Sequence, residues 1–279
     1  MMIRSKAAAL AAVSALALAS PALSAGTAHK TAHHPAAPAT HGATAAWAAL
    51  AKLPDWNMGV WQIDWAALFG AGGRPEPPAL TPEYAAKLKA FQDGQKQGEN
   101  VQNLNANCLP PGVPQIMQMP YPLEFLYTPG RVTIAIETDS QVRRIYTDGR
   151  KHQDDPDLTF NGDSIGHWEG DVLVADTIGL EPHTDIAAGV GHSDQLHIVE
   201  RFRQTGPDKL EIATTITDPA VLTKPWTVTR PYLRHKDWQI QEYVCEQNNH
   251  DSADEKGRAG FRLDDDAAPP AAAAPPSAH

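Results

Sequence analysis

Five ionisable residues stand where an alternating pattern calls for apolar side chains. Arg144, Asp176, Glu200, Arg230 and Glu242 each share the parity of the apolar residues in their own run. Arg144 falls with Val142 and Tyr146, Glu200 with Leu196, Ile198 and Phe202, and Glu242 with Trp238, Ile240 and Val244. An unpaired ion is costly to bury, so inward-facing groups of this kind must pair, meet internal water or contact a ligand. One expectation is a structural Arg–Glu network inside a closed core. The other is a polar ligand site, with Glu200 or Glu242 as the carboxylate and Arg144 as the anchor for an oxyanion or carboxylate.

Two histidines extend the second expectation. His167 precedes a tight turn and His152 follows Asp148-Gly149-Arg150, so both lie near strand ends, where barrel sites open. Imidazole moves protons near neutral pH, and a carboxylate such as Glu169 or Asp171 would orient His167. The structural reading is a turn histidine bonded to a backbone carbonyl. Tyr146, Trp168, Asp176 and Arg230 are candidates to line the same site. Trp61, Trp168, Trp226 and Trp238 offer stacking faces for an aromatic or sugar ligand, or else fill the core and its ends.

Other chemistries find less support. His183, His192 and His197, with Asp185 and Asp194, lie close enough in the chain to suggest zinc or iron, but no HExxH occurs. The five-residue step from His192 to His197 puts them on opposite faces of a strand. No metal is expected. Ser164 and Ser193 lack a nucleophile elbow, and neither nucleotide-binding glycine fingerprint is present, so no cofactor is expected.

The elements that must position these residues are strands. Nine short runs between Leu123 and Glu246 alternate apolar and polar residues, separated by turn signals such as Pro129-Gly130, Glu169-Gly170-Asp171, Gly206-Pro207-Asp208 and Lys236-Asp237. Tight connections require antiparallel neighbours. The pattern predicts an all-β domain, an antiparallel up-and-down meander over 123–246 that closes into a lipocalin-like barrel to remove its edges. A two-sheet β-sandwich is the alternative. The longer connections, 148–162 and 178–193, are expected over one barrel mouth, and Pro231 suggests an edge or bulge. Gly59–Ile63 is a possible further strand, and Thr81-Pro82-Glu83 opens a short N-terminal helix through Gln92 that could plug one end. The stretch 100–122 reads as a covering loop.

Residues 1–25 read as a cleaved signal peptide: Arg4 and Lys6, an apolar core over 7–19 too short to span a bilayer, then small residues. The expected location is the periplasm or the exterior, without membrane insertion. Residues 26–46, with His29, His33, His34 and His41, and the Pro/Ala tail 264–279 are expected to be disordered. The single domain spans 47–263. A formal net charge of −10 without a basic cluster argues against nucleic acid and anionic membranes. Cys108 and Cys245 are expected to form a disulfide, which could contribute up to roughly 5 kcal/mol through loop closure.

Cys-Leu-Pro-Pro-Gly at 108–112, Ile-Tyr-Thr-Asp-Gly-Arg at 145–150, Gly-His-Trp-Glu-Gly-Asp at 166–171, His-Ser-Asp at 192–194 and Glu-Tyr-Val-Cys-Glu at 242–246 resemble motifs of a broad group of exported, largely uncharacterised bacterial proteins. The likeness covers residues 58–251. It implies export and a shared domain and brings no activity with it. The expectation from the residues is acid–base chemistry on a small organic molecule, as in a lyase or isomerase: elimination, hydration or isomerisation. The alternatives are a non-catalytic periplasmic small-molecule binder and a structural envelope-associated domain.

Overall fold

The structure, a computed structural model, describes residues 41–70, 75–97 and 108–245 and two short paired strands at 251–253 and 259–261. The expected signal peptide, most of the expected linker and the tail from 264 lie outside the described residues. Period-two alternation generates the strands. β1 (Val60–Ile63), β2 (Leu123–Thr128), β3 (Arg131–Ile136), β4 (Gln141–Tyr146), β5 (Asp163–Glu169) and β6 (Val172–Ile178) join three long strands in one closed barrel. The small hairpin of β7 (Asp185–Ala187) and β8 (Val190–Gly191) precedes those three: β9 (His197–Gly206), β10 (Lys209–Thr217) and β11 (Trp226–His235). Barrel order is β1-β11-β10-β9-β6-β5-β4-β3-β2, with β1 paired to both β11 and β2.

The expected all-β barrel is therefore present, but its meander is not antiparallel throughout. Antiparallel neighbours alternate in direction, and a closed ring of nine strands cannot alternate all the way round. At least one pair must be parallel. That pair is β4 with β5, over Ile145↔Ser164 and Tyr146↔Ile165 alone. It falls where the connection, residues 147–162, exceeds the dozen or so residues a parallel link needs. Because the overlap is so short, Gln141–Arg144 has no strand partner on the β5 side. Asn161 fills part of the gap, its side-chain amide donating to Gln141 Oε1 at 3.1 Å.

The ninth expected run, 238–246, is not a strand in its described part, 238–245. β1 already occupies the free edge of β11, with Trp61 opposite Arg234 and Ile63 opposite Tyr232, so the chain after the Lys236-Asp237 turn finds no edge to join. It is tied down instead by Gln241 N donating to Glu137 Oε2 at 2.8 Å and Ser140 Oγ donating to the Tyr243 carbonyl at 3.1 Å. The expected Cys108–Cys245 disulfide is present, with a Cα separation of 5.5 Å. Pro231 sits in the doubly paired β11 rather than at an edge. Its carbonyl accepts from Asp64 N at 2.9 Å, so its missing N–H faces the side of β1, just past the end of that strand, where no ladder bond is lost.

Three α-helices accompany the barrel among the described residues. α1 (His41–Ala49) begins inside the segment expected to be linker, since its run of alanines has high helix propensity. α2 (Trp65–Phe69) is a single turn capped by Asp64. α3 (Pro82–Lys96) starts as expected with Pro82 at its first position, but the Thr81 hydroxyl donates to the Ala220 carbonyl instead of capping. Tyr84 and Leu88 of α3 pack on the core. The barrel interior is filled. Trp56, Phe125, Trp168 and Phe202 form one aromatic end, with Trp56 5.4 Å from Phe125 and 5.3 Å from Trp168, centroid to centroid. Ile186, Val190, Leu196, Ile198 and Ile216 pack the other.

Candidate functional site

Of the five inward-facing candidates, Glu200 and Arg230 point inward as their parity requires. Glu200 is fully buried. Its partner is not Arg144 but Arg143, also fully buried, whose Nη2 donates to Glu200 Oε2. The same nitrogen donates to Thr177 Oγ1 at 3.0 Å and reaches Ser164 Oγ at 3.4 Å, and the two hydroxyls lie 2.8 Å apart. Below them the Tyr232 hydroxyl donates to the Met117 carbonyl. Burial, then the charge of Glu200, pushes the tyrosine well above its ordinary value, so it remains a donor. None of the clefts described below is lined by Arg143 or Glu200. The pair matches the structural-network expectation, with Arg143 in place of Arg144.

The correction at β4 has a local cause. In Gln141–Tyr146 the inner face holds Arg143 and Ile145, while Val142 and Arg144 are exposed. Val142 and Tyr146 mimic an inner row because the 147–162 connection partly covers the outer face there. On β6 apolar residues occupy both faces, and Leu173, Ala175 and Thr177 take the inside, leaving Asp176 outside.

That outer face carries the densest chemistry. His152, in the connection, lies between two carboxylates: Nδ1 is 3.0 Å from Asp163 Oδ2 and Nε2 is 3.0 Å from Asp176 Oδ1. His197 Nε2 approaches the same Asp176 oxygen at 2.7 Å. Gln153 N also donates to Asp163 Oδ2, at 3.2 Å, leaving Oδ1 without a protein donor. Three elements bring these groups together, the first residue of β5, the outer row of β6 and the first residue of β9. A neutral imidazole donates from one nitrogen only. With both His152 nitrogens facing carboxylate oxygens, all contacts are satisfied only when the group holds one extra proton. The two nitrogens point in opposite directions, so the donors do not converge on one metal-sized point. Among the described residues no group of three such ligands does.

Asp163 opens onto a cleft of about 380 Å³, formed in the gap beside the parallel pair and lined also by Arg144, Tyr146, Gln153, Asn161 and Ser164. Arg144 makes no ion pair among the described residues, while Arg150 stacks on Tyr146, 3.8 Å from its centroid, and pairs with Asp148 at 2.7 Å. Gly162 makes the wall possible. Its φ of +66° is left-handed, and a Cβ there would stand 2.7 Å from the Ile178 carbonyl oxygen.

The remaining candidates disperse. Glu242 is exposed, off any strand. His167 lies on the outer face of β5, 3.2 Å from Glu169, whose carboxyl is held below its usual range chiefly by Arg201 and then by His167. Trp168 belongs to the aromatic end of the core. Arg230 donates twice to Gln118 Oε1 beneath the 115–118 turn, and burial depresses its pKa. His192 fulfils the structural role of a turn histidine: Nδ1 meets the Ser193 carbonyl at 2.8 Å and Nε2 the Glu181 carbonyl at 3.0 Å. His183 contacts Glu181, and Asp185 accepts from Gly189 N, so neither joins His197. Asp163, Arg143 and the role of His197 beside Asp176 were not anticipated. His152 lies within the crossover and Asp163 at its end, a signal visible only once β4 and β5 are known to be parallel.

No protein-family model matches the chain, and no curated protein matches it.

Proposed function

We propose that the protein is exported and performs acid–base chemistry on a small organic anion in the cleft beside the β4–β5 pair, using its own side chains. The observation that carries this reading is the 3.0 Å contact between His152 Nδ1 and Asp163 Oδ2, next to the Arg144 guanidinium, which makes no ion pair among the described residues. Arg144 would grip a carboxylate or oxyanion of the substrate. Asp163, oriented by Gln153 N and His152, would exchange a proton with the adjacent carbon or hydroxyl through its free Oδ1. His152 would take up and return that proton, and Asp176 and His197 would hold the ring in place. Elimination, hydration and isomerisation all use such a step. The disulfide agrees with an oxidising compartment, and no described helix is long and apolar enough to cross a membrane.

The test follows proton transfer rather than one assumed product. The disulfide-bonded protein is incubated in D₂O with a panel of small hydroxy and unsaturated carboxylates, and NMR follows deuterium entry beside the carboxylate and any new product. Asp163→Asn should abolish the exchange, Arg144→Ala should raise KM, and Glu242→Gln should change nothing. Full exchange with Asp163→Asn, or none with any member of the panel, would overturn the reading. A non-catalytic binder would show saturable shifts without exchange.

A further inference from the structure

A second cleft, of about 500 Å³, is lined by Gln62, Pro120–Pro122, Glu137 and residues 237–239 and 241. Its size falls within the range of about 300–1,000 Å³ common to small-molecule sites. Of the four tryptophans with candidate stacking faces, Trp61 is fully buried, Trp168 packs on the core and Trp226 donates to the Glu76 carbonyl. Trp238 alone of the four is largely exposed, at 45%. The His235 ring stacks flat against it, at 3.7 Å between centroids and 10° between planes. One face of the indole is thus backed and stiffened, and the residue borders the cleft.

We propose that this cleft binds a neutral saccharide. The C–H face of a pyranose packs on a flat aromatic ring, and its hydroxyls need donors and acceptors together. The cleft has both. Gln62 spends its Nε2 on the Pro120 carbonyl and Glu137 spends Oε2 on Gln241 N, leaving Gln62 Oε1 and Glu137 Oε1 as acceptors. The Gln239 amide and the Asp237 carboxylate make no protein hydrogen bond among the described residues and add donors and acceptors. No lysine or arginine lines the cleft, so an anion would face Asp237 and Glu137 uncompensated. The walls are also held before any ligand arrives. The Cys108–Cys245 disulfide, the Ser140–Tyr243 bond and the edge-on Tyr121–Tyr243 contact, 5.4 Å between centroids, pin the segment that carries Trp238. Preorganised walls lower the ordering cost of binding.

The experiment titrates the disulfide-bonded protein with methyl β-glucoside, cellobiose, maltose and, separately, choline, following tryptophan fluorescence and the indole N–H signals by NMR. Saturable binding of at least one saccharide at concentrations up to roughly 10 mM is expected, with Trp238→Ala weakening it about tenfold or more, ~1.4 kcal/mol. Trp238→Phe should retain part of the affinity, and Gln239→Ala should weaken binding without touching the aromatic platform. Binding of choline alone would assign the cleft to cations and overturn the proposal. So would the absence of saccharide binding, or unchanged affinity in both Trp238→Ala and Gln239→Ala. Asp163→Asn should leave saccharide binding intact, which separates this site from the one beside β4 and β5.

Discussion

The strands β5, β6 and β9 build two polar clusters on opposite sides of one sheet layer. Ser164, Thr177 and Glu200 face inward and surround Arg143, whereas Asp163, Asp176 and His197 face outward and surround His152. The ions of the inner cluster, Arg143 and Glu200, are fully buried. Arg143 Nε and Nη1 and Glu200 Oε1 have no protein partner there, so its ions are paired yet incompletely satisfied. The outer cluster is partly exposed and touches a cleft whose Arg144 makes no ion pair among the described residues. Similar residue types thus meet different surroundings: a desolvated pair inside the sheet, and a solvent-accessible group of imidazoles and carboxylates outside it.

The largest expected effect tests the inner half. Removing one ion strands the other in a dry core, so Arg143→Ala or Glu200→Ala should each cost about 3–5 kcal/mol. The double variant Arg143→Leu with Glu200→Leu should recover most of that, because it removes both desolvation costs. Urea unfolding of the four proteins checks this through the midpoint at constant slope. Single variants that lose less than about 1 kcal/mol would mean the pair is effectively solvated, and the contrast with the outer cluster would collapse.

The next effect tests the wall between the clusters. Gly162→Ala places a Cβ against the Ile178 carbonyl at a positive φ, and a loss of about 2 kcal/mol is expected from conformation and close contact together. Thermal unfolding measures it. Gly149 also has a positive φ, but a Cβ there meets nothing within 4 Å, so Gly149→Ala should cost less. Equal losses would show that the seam tolerates the added methyl.

The alternation in Leu196–Phe202 made Glu200 readable as an inward ion, and turn residues with tight spacing made a barrel readable. Two limits explain the rest. Period-two logic fails where apolar residues occupy both parities, as in Val172–Ile178, and where they line an open cleft, as Val142 and Tyr146 do, so neither the burial of Arg143 nor the outward position of Asp176 could be read from alternation. Strand direction across the seam is a property of the closed ring, not of any local run. It follows from an odd strand count, which depended on β1 taking the edge that 238–246 would otherwise have used. The cleft, and with it Asp163, was therefore hidden in topology.

A smaller effect belongs to the outer cluster. His152→Gln removes a ring whose side chain is one-fifth exposed and whose partners can turn to water, so a stability loss of about 1 kcal/mol or less is expected. Chemical denaturation should show it, beside a marked loss of deuterium exchange. A destabilisation as large as that of Glu200→Ala would make the outer cluster structural too and erase the distinction.

The smallest effect sharpens what a half-buried carboxylate does when it lacks a direct ion pair among the described residues. Asp185 lies on β7 near α3, where Phe91 crowds Gly189, and among the described residues its carboxylate hydrogen-bonds to Gly189 N alone, at 3.0 Å. Burial raises its pKa above the ordinary 3.8, with the Gly189 bond and the charge of His192 opposing the rise. For a carboxyl raised in the folded state, the fold binds the proton more tightly than the unfolded chain does. Its stabilising contribution is complete below the unfolded value and is lost as pH rises through the folded value. Stability should therefore fall slightly with rising pH across that interval, just above the ordinary carboxylate range. Asp185→Asn keeps an acceptor for Gly189 N and removes the charge, so it should remove that slope and stabilise the protein at neutral pH by less than about 1 kcal/mol. Urea midpoints at several pH values compare the two proteins. An unchanged slope, or a loss of stability at neutral pH, would show that Asp185 is adequately solvated and that pairing is not what separates it from Glu200.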